Sequence, residues 1–182
     1  GLRRDLLSRF EYFGVPDEVD YTNIPWRSSG FDETELTARL ATEARAADAL
    51  HQLVTRGGTR AIAFCVSQRH ADFMAAFFNK HDRRAVAVHA GETSAPRAAS
   101  LERLSTGQLD VICAVDVFNE GLDLPDLDTL LMLRPTESRI VWLQQFGRGL
   151  RKTATHKILK VIDYIGNHRA FLLKPQTLFS LS

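Results

Sequence analysis

The segment 144–151, Gln-Gln-Phe-Gly-Arg-Gly-Leu-Arg, contains the side chains whose types and spacing are best suited to chemistry. Gln144, Arg148 and Arg151 are spaced four and three residues apart, so they would share one face of a helix. Each guanidinium presents a planar fork of donors that fits the oxygens of a phosphate. The two glycines that flank Arg148 each cost a helix about 1 kcal/mol relative to alanine, and close approach of a ligand or backbone would explain that cost. We therefore predict an anion site on this face, although the arginines alone would also fit a solvated surface helix.

A second candidate lies at 120–125, Glu-Gly-Leu-Asp-Leu-Pro. Gly121 allows the backbone to turn tightly or to approach a ligand, and the Asp123 carboxylate can accept a hydrogen bond from a hydroxyl such as that of a ribose. An aspartate turn before Pro125 would have the same sequence, so this segment is also compatible with a structural role.

Apolar runs typical of buried strands alternate with helical patterns along the chain. The strands are predicted at 61–66, 85–88, 111–115, 129–133 and 158–162. The helices are predicted at 34–56, from Ser67 to about 78, from 94 to about 107 and at 138–150. Strands that alternate with helices form a mainly parallel sheet with helices on both faces, which is a three-layer α/β/α fold.

Polar residues follow the carboxyl ends of the predicted strands, where folds of this class bind ligands. They are Ser67, Gln68 and Arg69 after the first strand, His89 and Gly91 after the second, and Val115 and Asp116 after the third. A lone histidine in such a place is more often structural than functional. The histidines show no metal-ligand spacing and the two cysteines form no CxxC pair. We expect a binding surface here and no metal site.

The 182 residues are 45% hydrophobic and 25% charged, which is typical of one soluble domain with a modest extension. No apolar run approaches the roughly 18 residues that span a bilayer, and no signal peptide is evident at the start, so we expect a cytoplasmic protein. Residues 1–33 mix aromatics with proline and glycine and are predicted as an irregular connecting segment, followed by a domain at 34–182. The net charge of +1 excludes nothing. Bases dominate 134–169 and could meet phosphate, although on charge alone an ordinary solvated surface is the favoured interpretation.

No GxxxxGK[ST] phosphate loop occurs in the chain, which therefore lacks the usual means of holding ATP and Mg²⁺ by itself. A nucleotide-binding enzyme of the Rossmann type is one alternative. It would need a glycine-rich turn after the first strand, and 66–69 reads Val-Ser-Gln-Arg instead.

Several of these segments resemble helicase motifs in order and spacing. The segment 144–151 resembles motif VI, Q-x-x-G-R-x-x-R, while 115–123 resembles motif V and 62–72 resembles motif IV. Together they are similar to the C-terminal, second RecA-like lobe of a superfamily 2 helicase of the DEAD/DEAH-box-like class, which implies a P-loop NTPase-like fold. The stretches 118–125 and 133–138 are similar to bacterial DNA helicases of the restriction and repair type, which makes DNA the expected partner ahead of RNA.

The resemblance implies a role for each matching residue. Arg151 would be an arginine finger on the γ-phosphate of ATP, with Arg148 beside it and Gln144 at the same interface. Gly121 and Asp123 would reach the nucleotide. Ser67, Gln68, Arg69, His89, Gly91, Val115 and Asp116 would line the nucleic-acid surface, although motif V commonly has threonine where Val115 stands. ATP and Mg²⁺ would bind only together with an N-terminal RecA-like lobe, which lies outside this chain.

A rival interpretation is a non-catalytic nucleic-acid-binding module that has kept the helicase-lobe fold. The two arginines and Asp123 argue against it. A phosphate loop upstream of Gly1 would decide between the two.

Overall fold

The structure is a computed structural model of the chain and describes residues 10–21, 24, 26–27, 30–118, 126–135, 143 and 158–166. In chain order its elements are β1 (Phe10–Asp17), β2 (Trp26–Arg27), β3 (Gly30–Phe31), α1 (Glu33–Leu40), α2 (Glu43–Arg56), β4 (Ala61–Phe64), α3 (Gln68–Lys80), β5 (Ala85–Val88), α4 (Arg97–Ser105), β6 (Val111–Ala114), β7 (Thr129–Met132) and β8 (Leu159–Gly166). None of the helices in these ranges is long and apolar enough to cross a bilayer.

Six strands form one parallel sheet in the order β1-β8-β7-β4-β6-β5, and β2 and β3 pair separately as an antiparallel ribbon. Every residue of β4, β6 and β7 is buried. Alternate residues of these strands enter two different cores. One core also contains apolar residues of α2 and α3, and the other contains Leu104 of α4 and Leu143. The predicted three-layer α/β/α fold is therefore confirmed.

The helix predicted at 34–56 is two helices in the structure. Asp32 caps α1 by accepting a hydrogen bond from the Glu35 N–H at 3.0 Å. The chain leaves the helical conformation at Ala41, and the Thr42 hydroxyl then caps α2 by accepting from the Arg45 N–H at 3.3 Å. A threonine that caps a helix has extended backbone angles, so the helix cannot continue through it.

The structure also differs from the irregular segment predicted at 1–33. β1 is an eight-residue edge strand, in register with β8 from Phe10 opposite Leu159 to Asp17 opposite Gly166. Gly14 and Pro16 obscure the strand pattern in the sequence. An edge strand tolerates proline because one side of its backbone pairs with no other strand.

Arg45 of α2 joins three elements at the carboxyl edge of the sheet. Its buried guanidinium donates to both Asp17 carboxylate oxygens, from Nε at 3.3 Å and from Nη2 at 2.9 Å, and Nη2 also donates to the Leu133 carbonyl at 2.9 Å. The same guanidinium lies 4.9 Å from the centre of the Tyr164 ring. The Tyr21 hydroxyl donates to Asp17 at 2.6 Å, and burial raises the pKa of this hydroxyl well above its usual range.

Replacing Arg45 with methionine should therefore destabilise the chain by about 3 kcal/mol, because the Asp17 carboxylate would stay buried without its cation. The measurement is the free energy of unfolding in urea. The matched control is Arg84→Met at the Arg84–Asp110 pair, whose arginine side chain is 59% exposed and whose loss should change stability little. Equal effects of the two substitutions would contradict the role assigned to Arg45.

Candidate nucleic-acid interface

The carboxyl ends of β5, β6 and β4 lie side by side at one edge of the sheet. Parallel strands all end at the same edge, so the residues that follow them are brought together. The structure thereby collects the segments 67–69, 89–91 and 115–116 on one surface, as the sequence predicts. Whether these residues contact nucleic acid stays a prediction.

Ser67 caps α3, and its hydroxyl makes two hydrogen bonds within the fold. The side chain is buried, accepts from the His70 N–H at 3.1 Å and lies 2.5 Å from the Thr37 hydroxyl oxygen. Thr37 donates its own proton to the Glu33 carbonyl, so the Ser67 hydroxyl is the donor in this pair. The role of Ser67 is thus to fix the start of α3 against α1, and a direct contact through its hydroxyl is not available.

The first turn of α3 presents Gln68 and Arg69, which are both exposed. Gln68 lies over the backbone of Gly91. A Cβ atom at Gly91 would stand 2.2 Å from the Gln68 Oε1, so any other residue there would displace the glutamine. Gly91 is therefore a point of close approach between α3 and the loop that follows β5, as its residue type indicates.

His89 is oriented by two hydrogen bonds and is buried. Its Nδ1 accepts from the Gly91 N–H at 3.0 Å, so the ring proton is on Nε2, which lies 2.9 Å from the Asp72 carboxylate. The His89 side chain has no exposed surface. His89 consequently shapes the loop, and contact with a ligand through its ring is not available in this arrangement.

The loop after β6 contains two residues with positive φ angles, a backbone conformation that residues other than glycine seldom adopt. The φ angles are +51° at Asp116 and +65° at Phe118. Phe118 is buried, and the Arg97 guanidinium lies 5.1 Å from its ring centre. The exposed Asp116 carboxylate accepts from Arg134 at 2.7 Å. Such strain is common in functional loops, and this loop leads directly into 119–125.

Val115 contributes little to this surface. It is nearly buried, and its backbone N–H donates to the Val88 carbonyl at 3.2 Å. The amide is therefore occupied within the sheet and cannot replace the hydroxyl of the threonine that motif V commonly has at this position.

The other predicted site residues, Gly121, Asp123, Gln144, Arg148 and Arg151, lie outside the described residues. Leu143, which is described and falls within the helix predicted at 138–150, is helical and buried. Within the described ranges, no group of three or more histidine, cysteine, aspartate or glutamate side chains could hold a metal ion.

Sequence reasoning did not single out Thr37, His70, Asp72 or Thr93, which support the surface. His70 is buried beneath the first turn of α3, and its Nδ1 accepts from the Val66 N–H at 3.2 Å. Burial lowers the pKa of His70 to about 3, and the positive charge of Arg45 acts in the same direction. Thr37, Asp72 and Thr93 form hydrogen bonds with residues far away in the sequence, and His70 is buried. No local sequence pattern therefore marks these four residues.

The fold and this strand-end surface define the class of the protein as a RecA-like α/β lobe. The sequence model described as "Helicase conserved C-terminal domain" matches residues 45–153, more than half of the chain. The chain belongs to this family, the C-terminal domains of superfamily 2 helicases.

Two relatives show how far the similarity extends. "Putative ATP-dependent helicase IRC3" of Saccharomyces cerevisiae is 24% identical over 179 residues, covering 96% of this chain and 26% of that protein. "UvrABC system protein B" of Kosmotoga olearia is 28% identical over 121 residues, covering 64% of this chain and 18% of that protein. The chain thus spans about a quarter or less of the length of these relatives.

Solved structures share the fold at low sequence identity. The bacteriophage T4 protein UvsW superposes with a TM-score of 0.67 at 15% identity, covering 95% of this chain and 39% of UvsW. The E. coli DEAD-box protein SrmB superposes with a TM-score of 0.57 at 20% identity, covering 91% of this chain and 82% of the SrmB chain.

The buried His70 predicts a loss of stability in acid. The unfolded chain takes up a proton at this residue below pH 6.5, whereas the folded chain does not until about pH 3, so folding weakens as the pH falls between these values. From pH 7 to pH 5 the loss at this site should be about 2 kcal/mol. His70→Gln should remove this contribution from the unfolding free energy measured in urea. The control His51→Gln, at an exposed histidine of α2, should keep the wild-type fall, and an unchanged fall in His70→Gln would contradict the assignment.

Proposed function

We propose that the chain is the C-terminal lobe of an ATP-dependent nucleic-acid helicase or translocase. In this role it supplies arginine fingers to a shared ATP site and part of the surface that grips the nucleic acid. The observation that carries the proposal is the family match at 45–153, on a fold whose carboxyl edge brings together the first turn of α3 and the loops that follow β5 and β6.

The contact surface is formed by the first turn of α3, the loop 89–94 and the loop after β6. Arg69 supplies an exposed positive charge, and the amino end of α3 adds the positive end of its helix dipole. Within the described part of the chain, the backbone N–H groups of Gln68 and Arg69 donate to no other residue. The Asp116 carboxylate would repel phosphate, but Arg134 neutralises it. Contacts of this kind bind the sugar-phosphate backbone and do not select a base sequence.

The ATP site is shared with an N-terminal RecA-like lobe. That lobe would hold the triphosphate and Mg²⁺ with its phosphate loop. Arg148 and Arg151 would reach the terminal phosphate when the lobes close, beside Gln144, and Gly121 and Asp123 would contact the nucleotide. The charge that develops on the transferred phosphoryl group would be stabilised only in the closed arrangement, which couples hydrolysis to lobe movement.

DNA is the proposed partner ahead of RNA. The support is the similarity of 118–125 and 133–138 to bacterial DNA helicases of the restriction and repair type. Relatives described as RNA helicases, such as "Probable ATP-dependent RNA helicase ddx49" of Dictyostelium discoideum at 26% identity over 117 residues, make RNA the alternative that experiment must address.

Replacing Arg151 with alanine in the full-length protein should reduce nucleic-acid-stimulated ATP hydrolysis by about 10³-fold, because an arginine finger acts on the transferred phosphoryl group. Binding of single-stranded DNA, measured by fluorescence anisotropy, should stay close to that of the unaltered protein. Arg103→Ala, at an exposed arginine of α4, is the matched control for the loss of one charge. Absence of any stimulated hydrolysis in the unaltered full-length protein would instead identify a non-catalytic module.

Replacing Arg69 with alanine should lower the slope of log affinity against log salt concentration by about 0.7 for single-stranded DNA, because one fewer phosphate is neutralised. The measurement is an anisotropy titration of the full-length protein at several salt concentrations. Arg103→Ala should keep the original slope. An unchanged slope in Arg69→Ala would contradict the placement of the nucleic acid on this edge, and tighter binding of RNA than of DNA with the same sequence would contradict the choice of partner.

A further inference from the structure

Asp72 is the residue through which α3 holds the loop 89–94. It lies on α3 one helical turn after Arg69, and its side chain is 37% exposed. One carboxylate oxygen lies 2.9 Å from the His89 Nε2, and the other accepts from the Thr93 hydroxyl at 2.7 Å. Because the ring proton of His89 is on Nε2, both contacts are hydrogen bonds that Asp72 accepts from the loop.

The loop has a defined internal structure. The Ser94 N–H donates to the Gly91 carbonyl at 3.2 Å, and the His89 N–H donates to the Ser94 hydroxyl at 2.8 Å. With the bond from the Gly91 N–H to His89, these contacts close the loop on itself. The two bonds to Asp72 then fix the closed loop relative to the first turn of α3.

The outer surface of the loop is available to a ligand. Ala90, Glu92 and Thr93 are exposed, and within the described part of the chain their backbone N–H groups donate to no other residue. Backbone N–H groups of this kind donate readily to phosphate oxygens. The negatively charged Asp72 is unsuited to contact phosphate directly, so any effect it has on nucleic-acid binding must act through the loop.

We propose that Asp72 is a positioning residue for nucleic-acid binding. It holds the loop 89–94 in place beside Gln68 and Arg69 before the nucleic acid arrives, so that one strand contacts both segments. A preformed surface binds more tightly because less ordering is required on association. The inference rests on the proposed function, since it assumes that this edge binds nucleic acid.

The test compares two substitutions of Asp72 in the full-length protein. Asp72→Ala removes both acceptors. Asp72→Asn keeps an oxygen for His89 and offers an N–H to the Thr93 hydroxyl, so it preserves the geometry and removes the charge. The readouts are the concentration of single-stranded DNA that gives half-maximal ATP hydrolysis, the rate at saturating DNA, and the salt dependence of DNA affinity.

Positioning predicts that Asp72→Ala raises the half-maximal DNA concentration about tenfold, equivalent to about 1.4 kcal/mol, with the saturated rate nearly unchanged. Asp72→Asn should stay within about twofold of the unaltered protein, since a twofold change is less than about 0.5 kcal/mol. The salt slope should be the same in both, because neither substitution removes a phosphate contact made by a cation. Thr93→Val, which removes one of the two hydrogen bonds to Asp72, should raise the half-maximal DNA concentration by a smaller factor. It replaces Asp72→Ala in the test if Asp72→Ala does not fold.

Two results would overturn the inference. Unchanged or tighter DNA binding in both Asp72→Ala and Thr93→Val would show that the loop does not need to be held. A loss in Asp72→Asn equal to that in Asp72→Ala would show that charge matters and geometry does not. Arg69→Ala distinguishes failure of the positioning role from failure of the proposed function. If Arg69→Ala weakens DNA binding and the Asp72 variants do not, this edge binds nucleic acid but Asp72 has no positioning role.

Discussion

A parallel sheet whose central strands are buried on both faces is the constraint on which the rest of this structure depends. The backbone groups of β4, β6 and β7 pair with their neighbours, and their side chains fill two separate cores. Polar side chains are therefore nearly absent from these three strands, and polar groups gather at the two edges where the strands begin and end. At the amino edge the polar groups stabilise the fold. The Asp128 carboxylate, for example, accepts hydrogen bonds from the N–H groups of Thr59 and Arg60. The carboxyl edge is the proposed binding surface.

Many polar side chains at the carboxyl edge form hydrogen bonds with one another, and only the remaining polar groups are exposed. Ser67 joins two helices, His89 closes a loop, and Asp72 holds that loop to α3. The exposed remainder includes Gln68, Arg69 and backbone N–H groups of the loop 89–94, which can donate to phosphate oxygens. It also includes the carboxylates of Glu92 and Asp116, of which Asp116 is paired with Arg134. Arg45 provides comparable support farther along the edge, where β7 ends and the chain continues toward the segment that contains Arg148 and Arg151.

Local signals explain which features the sequence predicts well. The β5 strand and the Ser67 cap are encoded by adjacent residues, and the parallel order of strands brings the predicted polar segments together at one edge. β1 is obscured because Gly14 interrupts an edge strand that β8 stabilises from far along the chain. The supporting roles of Ser67 and His89 depend on Thr37 and Asp72, which no local pattern connects to them. Residue type and position therefore predicted which segments meet at this edge, whose binding role is a proposal, but tertiary hydrogen bonds decide which side chains are exposed there.

Amide hydrogen exchange of the full-length protein, with and without single-stranded DNA, would test the central claim most directly, because it maps the bound surface without altering any residue. If the carboxyl edge binds the nucleic acid, exchange should be slower in peptides that cover 67–69 and 89–94 when DNA is bound, and unchanged at the amino edge in 57–60 and 106–110. Protection confined to the amino edge, or absent from 67–69 and 89–94 at saturating DNA, would contradict the assignment of the carboxyl edge as the nucleic-acid surface.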